Sequence, residues 1–227
     1  MNAANIIASA TGVLLDFDGP VCSIFANLSA SSVAEDLRLV LITDGIDIDA
    51  EIANELDPME VLRYAARLSP DVLAHVDDAL RAAELEAATT AEPTPSAADF
   101  IRHINDRGIP LVIVSNNSTA AILRYLDNHQ LTPCVRSVVG RSFARPDLMK
   151  PHPWPLIRGI EIIGSRGSGC VIIGDSVADM AAARSAGVPS IGYANRPDKL
   201  LALSDAGARA IVTDMAQLLE HPQRTRR

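Results

Sequence analysis

Short uninterrupted apolar runs, separated by stretches of helical period, set out the plan of the chain. The runs are Gly12–Leu15, residues 109–115, residues 135–139, Cys170–Gly174, residues 189–193 and Ala210–Val212. Their apolar side chains fall at successive positions instead of every second one, which is how strands covered on both faces read. Between them, residues 96–107, 118–129, 153–163, 177–186 and 214–220 repeat apolar positions at helical spacing. Ser96 is a suitable N-cap, and Gly108 and Gly187 stand where a left-handed C-cap is expected. Single helices alternating with buried strands predict an α/β fold built on a doubly wound parallel sheet. Such sheets bind ligands beyond the carboxyl ends of their strands.

The first crossover departs from that plan. From Asp18 to Ser115 the chain runs almost a hundred residues, against the roughly thirty that a strand–helix–strand unit needs. The surplus is itself patterned: residues 31–43 read as a helix stopping before Gly45, 49–56 as a short helix, 58–68 as a helix opened by a proline, and 70–88 as a longer alanine-rich helix. Glu92-Pro93-Thr94-Pro95 reads as the return linker, because two prolines hold it extended. The expected division is a core of residues 1–21 and 92–227, with a helical cap of residues 22–91 inserted after the first strand.

Polar residues at the strand ends carry the candidate chemistry. Asp16 and Asp18 close the first strand. At i and i+2 of an extended chain they leave on the same face, so two carboxylates share one space. That placement is unfavourable unless a cation lies between them or one keeps its proton. Ser115 and Asn116 close the second run, where a hydroxyl and free backbone N–H groups ahead of a helix form an anion-binding nest. Lys150 stands before Pro151 in a stiff loop, one of only two lysines in a chain with eighteen arginines, and a compact ammonium differs from a guanidinium fork. Asp175 ends the run Cys170–Gly174 and Asp179 follows one helical turn later. This pair can complete a site for Mg²⁺, which prefers oxygen donors. Each feature also has a purely structural use, as turn, cap or solvated loop; the set and its order point to chemistry.

In that order the set resembles the haloacid dehalogenase-like hydrolase superfamily, with motifs Asp16-Phe17-Asp18-Gly19, Ser115, Lys150 and Gly174-Asp175-x-x-x-Asp179. The inserted helices are similar to the helical cap of its phosphoglycolate phosphatase-like branch. The resemblance implies a Rossmann-like core and a Mg²⁺-dependent phosphatase of small phosphomonoesters. Asp16 would be the nucleophile that forms an aspartyl-phosphate, and Asp18 the general acid and base. Ser115, Asn116 and Lys150 would bind the phosphoryl group. Asp16, Asp175 and the backbone carbonyl of Asp18 would ligate the metal, with Asp179 supporting them. An acid at Asp18 disfavours the dehalogenating members, a cap without lysine excludes the phosphonate-cleaving ones, and the absence of His between Val21 and Leu28 disfavours the mutases. A phosphate- or partner-binding protein on the same fold remains a second reading. Arg38, Arg63 and Arg67 are candidate readers of the leaving group, Ile24 and Phe25 candidate mouth residues, and Cys22 a candidate oxidation-sensitive thiol.

Composition narrows the partners. A net charge of −8 with no basic stripe argues against nucleic acid, and the basic run 224–227 reads as a solvated tail. No apolar run reaches the roughly 20 residues that span a bilayer. Three widely spaced cysteines without a Cys-x-x-Cys, and a start lacking the basic residues of a leader, suit a reducing, cytoplasmic setting.

Overall fold

The computed structural model describes residues 2–219. Strands β1 (Gly12–Leu15), β4 (Leu111–Ser118), β5 (Ser137–Arg141), β6 (Cys170–Gly174), β7 (Ser190–Tyr193) and β8 (Ala210–Val212) form a sheet of order β5-β4-β1-β6-β7-β8. All neighbouring pairs in it are parallel. The chain builds outward from β1 through β4 to β5, then crosses back and builds the other way from β6 to β8. The switch point therefore lies at β1, between β4 and β6, where the carboxyl ends open a crevice.

Consecutive side chains of the strands enter opposite cores. Val13 and Leu15 of β1, with Leu111, Ile113, Val171 and Ile173, pack in one cluster. That cluster includes Ile6 and Ile7 of α1 (Ala3–Ser9), Phe100 and Ile104 of α5 (Ala97–Asp106), and Ile122 and Tyr125 of α6 (Thr119–Asn128). Leu14, Val112, Val114 and Ile172 face the other way, against Leu156 of α7 (Trp154–Ile163) and Ala182 and Ala183 of α8 (Val177–Ala186). Each fully buried aliphatic side chain of this kind contributes about 1.5–3 kcal/mol, so a polar residue on either face would be costly. The uninterrupted apolar runs follow from this two-sided burial.

The long crossover holds α2 (Ala30–Thr43), α3 (Pro58–Ala65) and α4 (Pro70–Ala87). They share a separate core of Val33, Leu37, Leu41, Val61, Leu62, Val76 and Leu80. The segment leaves and returns through a two-stranded antiparallel pair, β2 (Cys22–Ser23) with β3 (Glu92–Pro93). The last turn of α4 reaches the main core, where Ala87 and Ala88 are buried.

Several local expectations change. Residues 49–56 are not a helix; 50–54 form turns and the rest is irregular: Asp49 accepts from the amides of Glu51 and Ile52 at 2.9 and 3.2 Å, and Glu55 from those of Leu56 and Asp57 at 2.8 Å. Short acids bonding their own backbone compete with helix formation. Ala3–Ser9 is helical, capped by Asn2, and α9 (Asp198–Asp205) adds a helix between β7 and β8. The third sheet strand starts at Ser137 because Thr132–Cys134 is a 3₁₀ turn. Of 214–220, Met215–Leu218 is 3₁₀, while Glu220 and the basic run 224–227 lie outside the described residues. β4 does not stop at Ser115: after an irregularity its pairing resumes at Ser118 against Arg141. No helix among the described residues is long and apolar enough to cross a membrane.

Candidate active site

At the switch point a cavity of about 1180 Å³ opens between the strand ends and the inserted helices. Asp16, Asp18, Ser115, Asn116, Lys150 and Asp175 line its floor, and Leu56, Asp57, Met59 and Arg63 stand on its insert side. The sites read from the sequence thus converge, from three neighbouring strands and one loop.

β1 delivers the first two acids. Asp16 follows its last residue and is buried, with Oδ1 accepting from the amide of Phe17 at 2.8 Å. Asp18 lies two residues on, open to the cavity, and Oδ1 accepts from the amide of Ile24 at 3.0 Å. Gly19, at φ +102°, follows; an added Cβ there would collide with the Asp175 carboxylate, so the close approach of the two strand ends requires glycine. Gly174 is equivalent at β6, where a Cβ would run into Asp179.

Lys150 is the cation of the floor. Its Nζ lies 2.6 Å from Asp16 Oδ1 and 2.6 Å from Asp179 Oδ1, and donates to the carbonyl of Val114 at 3.2 Å. Asp179 is fully buried and also accepts, through Oδ2, from the Ser176 hydroxyl and amide at 2.6 and 3.1 Å, closing a capping box at the start of α8. Its carboxylate is thereby committed to the ammonium and the helix start. Asp175, half-buried, contacts Lys199 Nζ of α9.

These carboxylates are uncomfortable in their protein surroundings. Burial raises the pKa of Asp16 well above the ordinary carboxylate range; Asp179 and Asp175 add to this and Lys150 opposes it. Desolvation by the protein packed around its carboxyl pushes Asp18 up to about 6, against the Ile24 amide, which favours its charge. Burial also raises Asp175, with Lys199 pulling the other way. One oxygen each from Asp16, Asp175 and Asp179 lies within 4.8 Å of the other two. An all-oxygen donor set of concentrated negative charge suits a hard divalent cation such as Mg²⁺. Because Asp179 is already hydrogen-bonded, Asp16 and Asp175 are the side chains best placed to meet one.

The irregular part of β4, between Val114 and Ser118, forms the third wall. Ser115 Oγ donates to Asn117 Oδ1 at 3.1 Å and accepts from the Asn117 amide at 3.2 Å. Asn116 pairs with the backbone of Lys150 in both directions, its Nδ2 donating to the carbonyl at 3.2 Å and its Oδ1 accepting from the amide at 2.8 Å. Asn116 and Lys150 are therefore hydrogen-bonded to each other, and Ser115 to Asn117.

Of the candidate leaving-group readers, Arg63 lines the cavity and donates to the Lys150 carbonyl at 3.2 Å. Arg67 instead pairs with Glu51 and lies over the Tyr64 ring, and Arg38 donates to the Glu55 carbonyl. Phe25 lines the cavity, whereas Ile24 belongs to the core. Cys22 is fully buried, and its thiol is pushed far up by burial and then by Asp18 and Asp16, which argues against a reactive thiolate. Sequence reasoning passed over Asn117, Arg141, Glu84 and Lys199. One signal was available: Asp77 and Glu84 fall on the apolar stripe of α4 with Val72, Val76 and Leu80, and buried acids require partners.

Known proteins resemble this chain in sequence and in fold. A family model described as haloacid dehalogenase-like hydrolase matches residues 10–187. A phosphoglycolate phosphatase of Caulobacter vibrioides is 31% identical over 161 residues, covering 69% of this chain and 59% of the relative. The phosphoglycolate phosphatase of Escherichia coli K12 is 32% identical over 98 residues, 43% of this chain and 38% of the relative. The chain thus matches less than two thirds of the length of these curated relatives. A HAD family hydrolase from Deinococcus radiodurans, solved with bound phosphate and sodium, aligns over 93% of this chain and 94% of that one, with TM-score 0.61 and 27% identity. A hydrolase from Pseudomonas syringae aligns over 92% and 96%, with TM-score 0.69 at 18% identity, and shares the fold.

Proposed function

The chain belongs to the haloacid dehalogenase-like hydrolase family, and from that premise we propose that it is a Mg²⁺-dependent phosphatase of a small phosphomonoester, acting through an aspartyl-phosphate on Asp16. The observation that carries this reading is the convergence of Asp16, Asp18, Ser115, Lys150 and Asp175 on one cavity floor.

An oxygen of Asp16 attacks phosphorus, and the ester P–O bond breaks as the new P–O bond forms. Asp18 gives its proton to the departing alkoxide, and its pKa near 6 leaves a useful protonated fraction near neutrality. As a carboxylate, Asp18 then takes a proton from the water that attacks the phosphoryl group, releasing phosphate and restoring Asp16. Two easier displacements replace one hard one. The Ser115 hydroxyl, turning its proton from Asn117 to the substrate, and the Asn116 backbone amide donate to the phosphoryl oxygens, and the Lys150 ammonium offsets their charge. Asp179 keeps Lys150 in register. Asp16 and Asp175, with the backbone carbonyl of Asp18, are the groups that would hold Mg²⁺, which when bound neutralises charge on the transferring group.

Residues 22–91 act as the cap in this reading and limit the substrate to a small ester. Phosphoglycolate, named for the Caulobacter and E. coli relatives, heads the esters to be tried. The test is phosphate release from p-nitrophenyl phosphate, phosphoglycolate and a panel of sugar phosphates, with Mg²⁺ and with EDTA, for wild type and Asp16→Asn. Release that needs Mg²⁺ and vanishes in Asp16→Asn is expected; undiminished release by Asp16→Asn, or none from any ester, would falsify the reading.

A further inference from the structure

We infer that Glu84 and Arg141 are positioning residues: with Asp77 they form one buried unit that seats the inserted helices on the core, and they shape the irregular turn within β4, between Val114 and Ser118, on which Ser115 and Asn116 are carried. The inference deepens the phosphatase reading and rests on it for the role of that turn.

Asp77 and Glu84 lie two turns apart on α4 and are both 0% exposed, as is the side chain of Arg141 at the end of β5. The guanidinium places every donor it has. Nε and Nη2 reach Asp77 Oδ1 at 3.1 and 2.8 Å; Nη1 and Nη2 reach Glu84 Oε1 and Oε2 at 2.7 and 3.2 Å. The remaining Nη1 donor meets the Asn116 carbonyl at 2.8 Å. Glu84 continues the connection, accepting from Asn117 Nδ2 at 3.2 Å and from the Ser118 amide at 3.0 Å. Asn117 in turn holds the Ser115 hydroxyl at 3.1 Å. Two hydrogen-bonded links, Glu84 to Asn117 and Asn117 to Ser115, therefore run from a helix of the insert to a hydroxyl on the cavity floor. β5 presses on the same turn at Gly140, where an added Cβ would lie 2.7 Å from the Asn117 carbonyl.

Docking alone does not call for this arrangement. A sealed ion cluster is often no more stabilising than well-packed apolar side chains of similar volume. What apolar residues cannot supply is a donor for the Asn116 carbonyl and acceptors for the Asn117 amide group and the Ser118 N–H. Asp77 provides the internal control, since its second oxygen accepts from the Ala144 amide at 2.6 Å and does not touch the turn.

The experiment compares Glu84→Gln with Asp77→Asn in the full chain. Both remove one carboxylate of the same sealed cluster, so both should lower the denaturation midpoint. Only Glu84→Gln should speed hydrogen exchange in a peptide covering residues 115–119 and raise the inhibition constant of inorganic phosphate, by about tenfold, the size expected for an unsatisfied buried group. Its KM for p-nitrophenyl phosphate should rise more than its kcat falls. Asp77→Asn should move the phosphate constant less than about twofold, because its hydrogen bonds lie elsewhere. If Glu84→Gln fails to fold, Arg141→Lys, which keeps the charge and loses the fork, is read in the same way. Exchange and phosphate affinity unchanged in Glu84→Gln, or displaced equally in both variants, would overturn the positioning role. A wild type that hydrolyses no ester would instead remove the phosphatase reading, with the exchange comparison still deciding the positioning.

Discussion

Two cations are buried among the described residues, each between two carboxylates, and they differ in their surroundings. Lys150 lies between Asp16 and Asp179, and Arg141 between Asp77 and Glu84. Burial works against the charge of both, and the flanking carboxylates more than offset it, holding each pKa above its ordinary value. The difference is access. The side chains around Arg141 are 0% exposed and its donors are all placed, whereas Asp16 keeps 9% of its side chain open to the cavity. An ammonium is a compact point charge on a flexible stem, able to share itself between Asp16 and an arriving anion; a planar fork with saturated donors cannot. Similar charge pairing thus leaves an accessible floor where one acid faces the cavity, and a sealed joint where none does.

Replacing the cations probes that contrast most strongly. Lys150→Met leaves Asp16 and Asp179 buried without a counter-charge; phosphate release should fall about a thousandfold, since fixed electrostatics is the main catalytic term. The protein should also lose about 3–5 kcal/mol of stability, measured by urea denaturation. Wild-type turnover in this variant would mean that the ammonium takes no part in the chemistry.

Arg141→Met should cost a similar 3–5 kcal/mol by stranding two acids. The triple variant Arg141→Met, Asp77→Leu, Glu84→Leu should regain most of that stability and yet stay poorly active, because the turn has lost its hydrogen-bond partners. Full recovery of turnover along with the denaturation midpoint would erase the distinction between joint and scaffold.

A third lysine–carboxylate contact is milder. Lys199 competes for Asp175 from a half-open position, so Lys199→Ala should lower the Mg²⁺ concentration for half-maximal phosphate release by about two- to fivefold, a partly screened single-charge effect. No shift in the Mg²⁺ titration would show that Asp175 is not the metal's carboxylate.

The exposed pair His75–Asp44, at 2.9 Å, marks the weak limit. The hydrogen bond that His75 donates to Asp44, then the Asp44 charge, raises the His75 pKa above 6.5. A raised folded-state value means that the small stabilisation is present below the unfolded pKa and fades as pH rises through the folded one. An NMR titration should show the His75 midpoint falling back in Asp44→Asn, with a barely altered denaturation midpoint.

The strands were legible because a chain buried on both faces must write Val13, Leu14 and Leu15, or Val171, Ile172 and Ile173, without a polar break. Asp16, Asp18 and Asp175 were legible because a strand end fixes where its next side chains point. Residues 49–56 misled, since helical composition is overridden when Asp49 and Glu55 turn back onto their own amides. Arg141 was invisible for another reason: it meets Glu84 and Asp77 across 57 and 64 residues, and nothing local at a strand-ending arginine tells whether it faces solvent or a buried helix. On α4 two acids on an apolar stripe signalled a missing partner without naming it.

Local order along the chain determined the alternation of strands and helices, the place of the long insert and the carboxylates at the strand ends, because backbone periodicity and turn chemistry act over a few residues. Only the packed structure decided that Lys150 reaches both Asp16 and Asp179, that Lys199 meets Asp175, and that a helix of the insert is bonded through Arg141 to the turn beside Ser115. Those choices depend on which surfaces exclude water together, and a charge acquires its partner only when the water around it is removed.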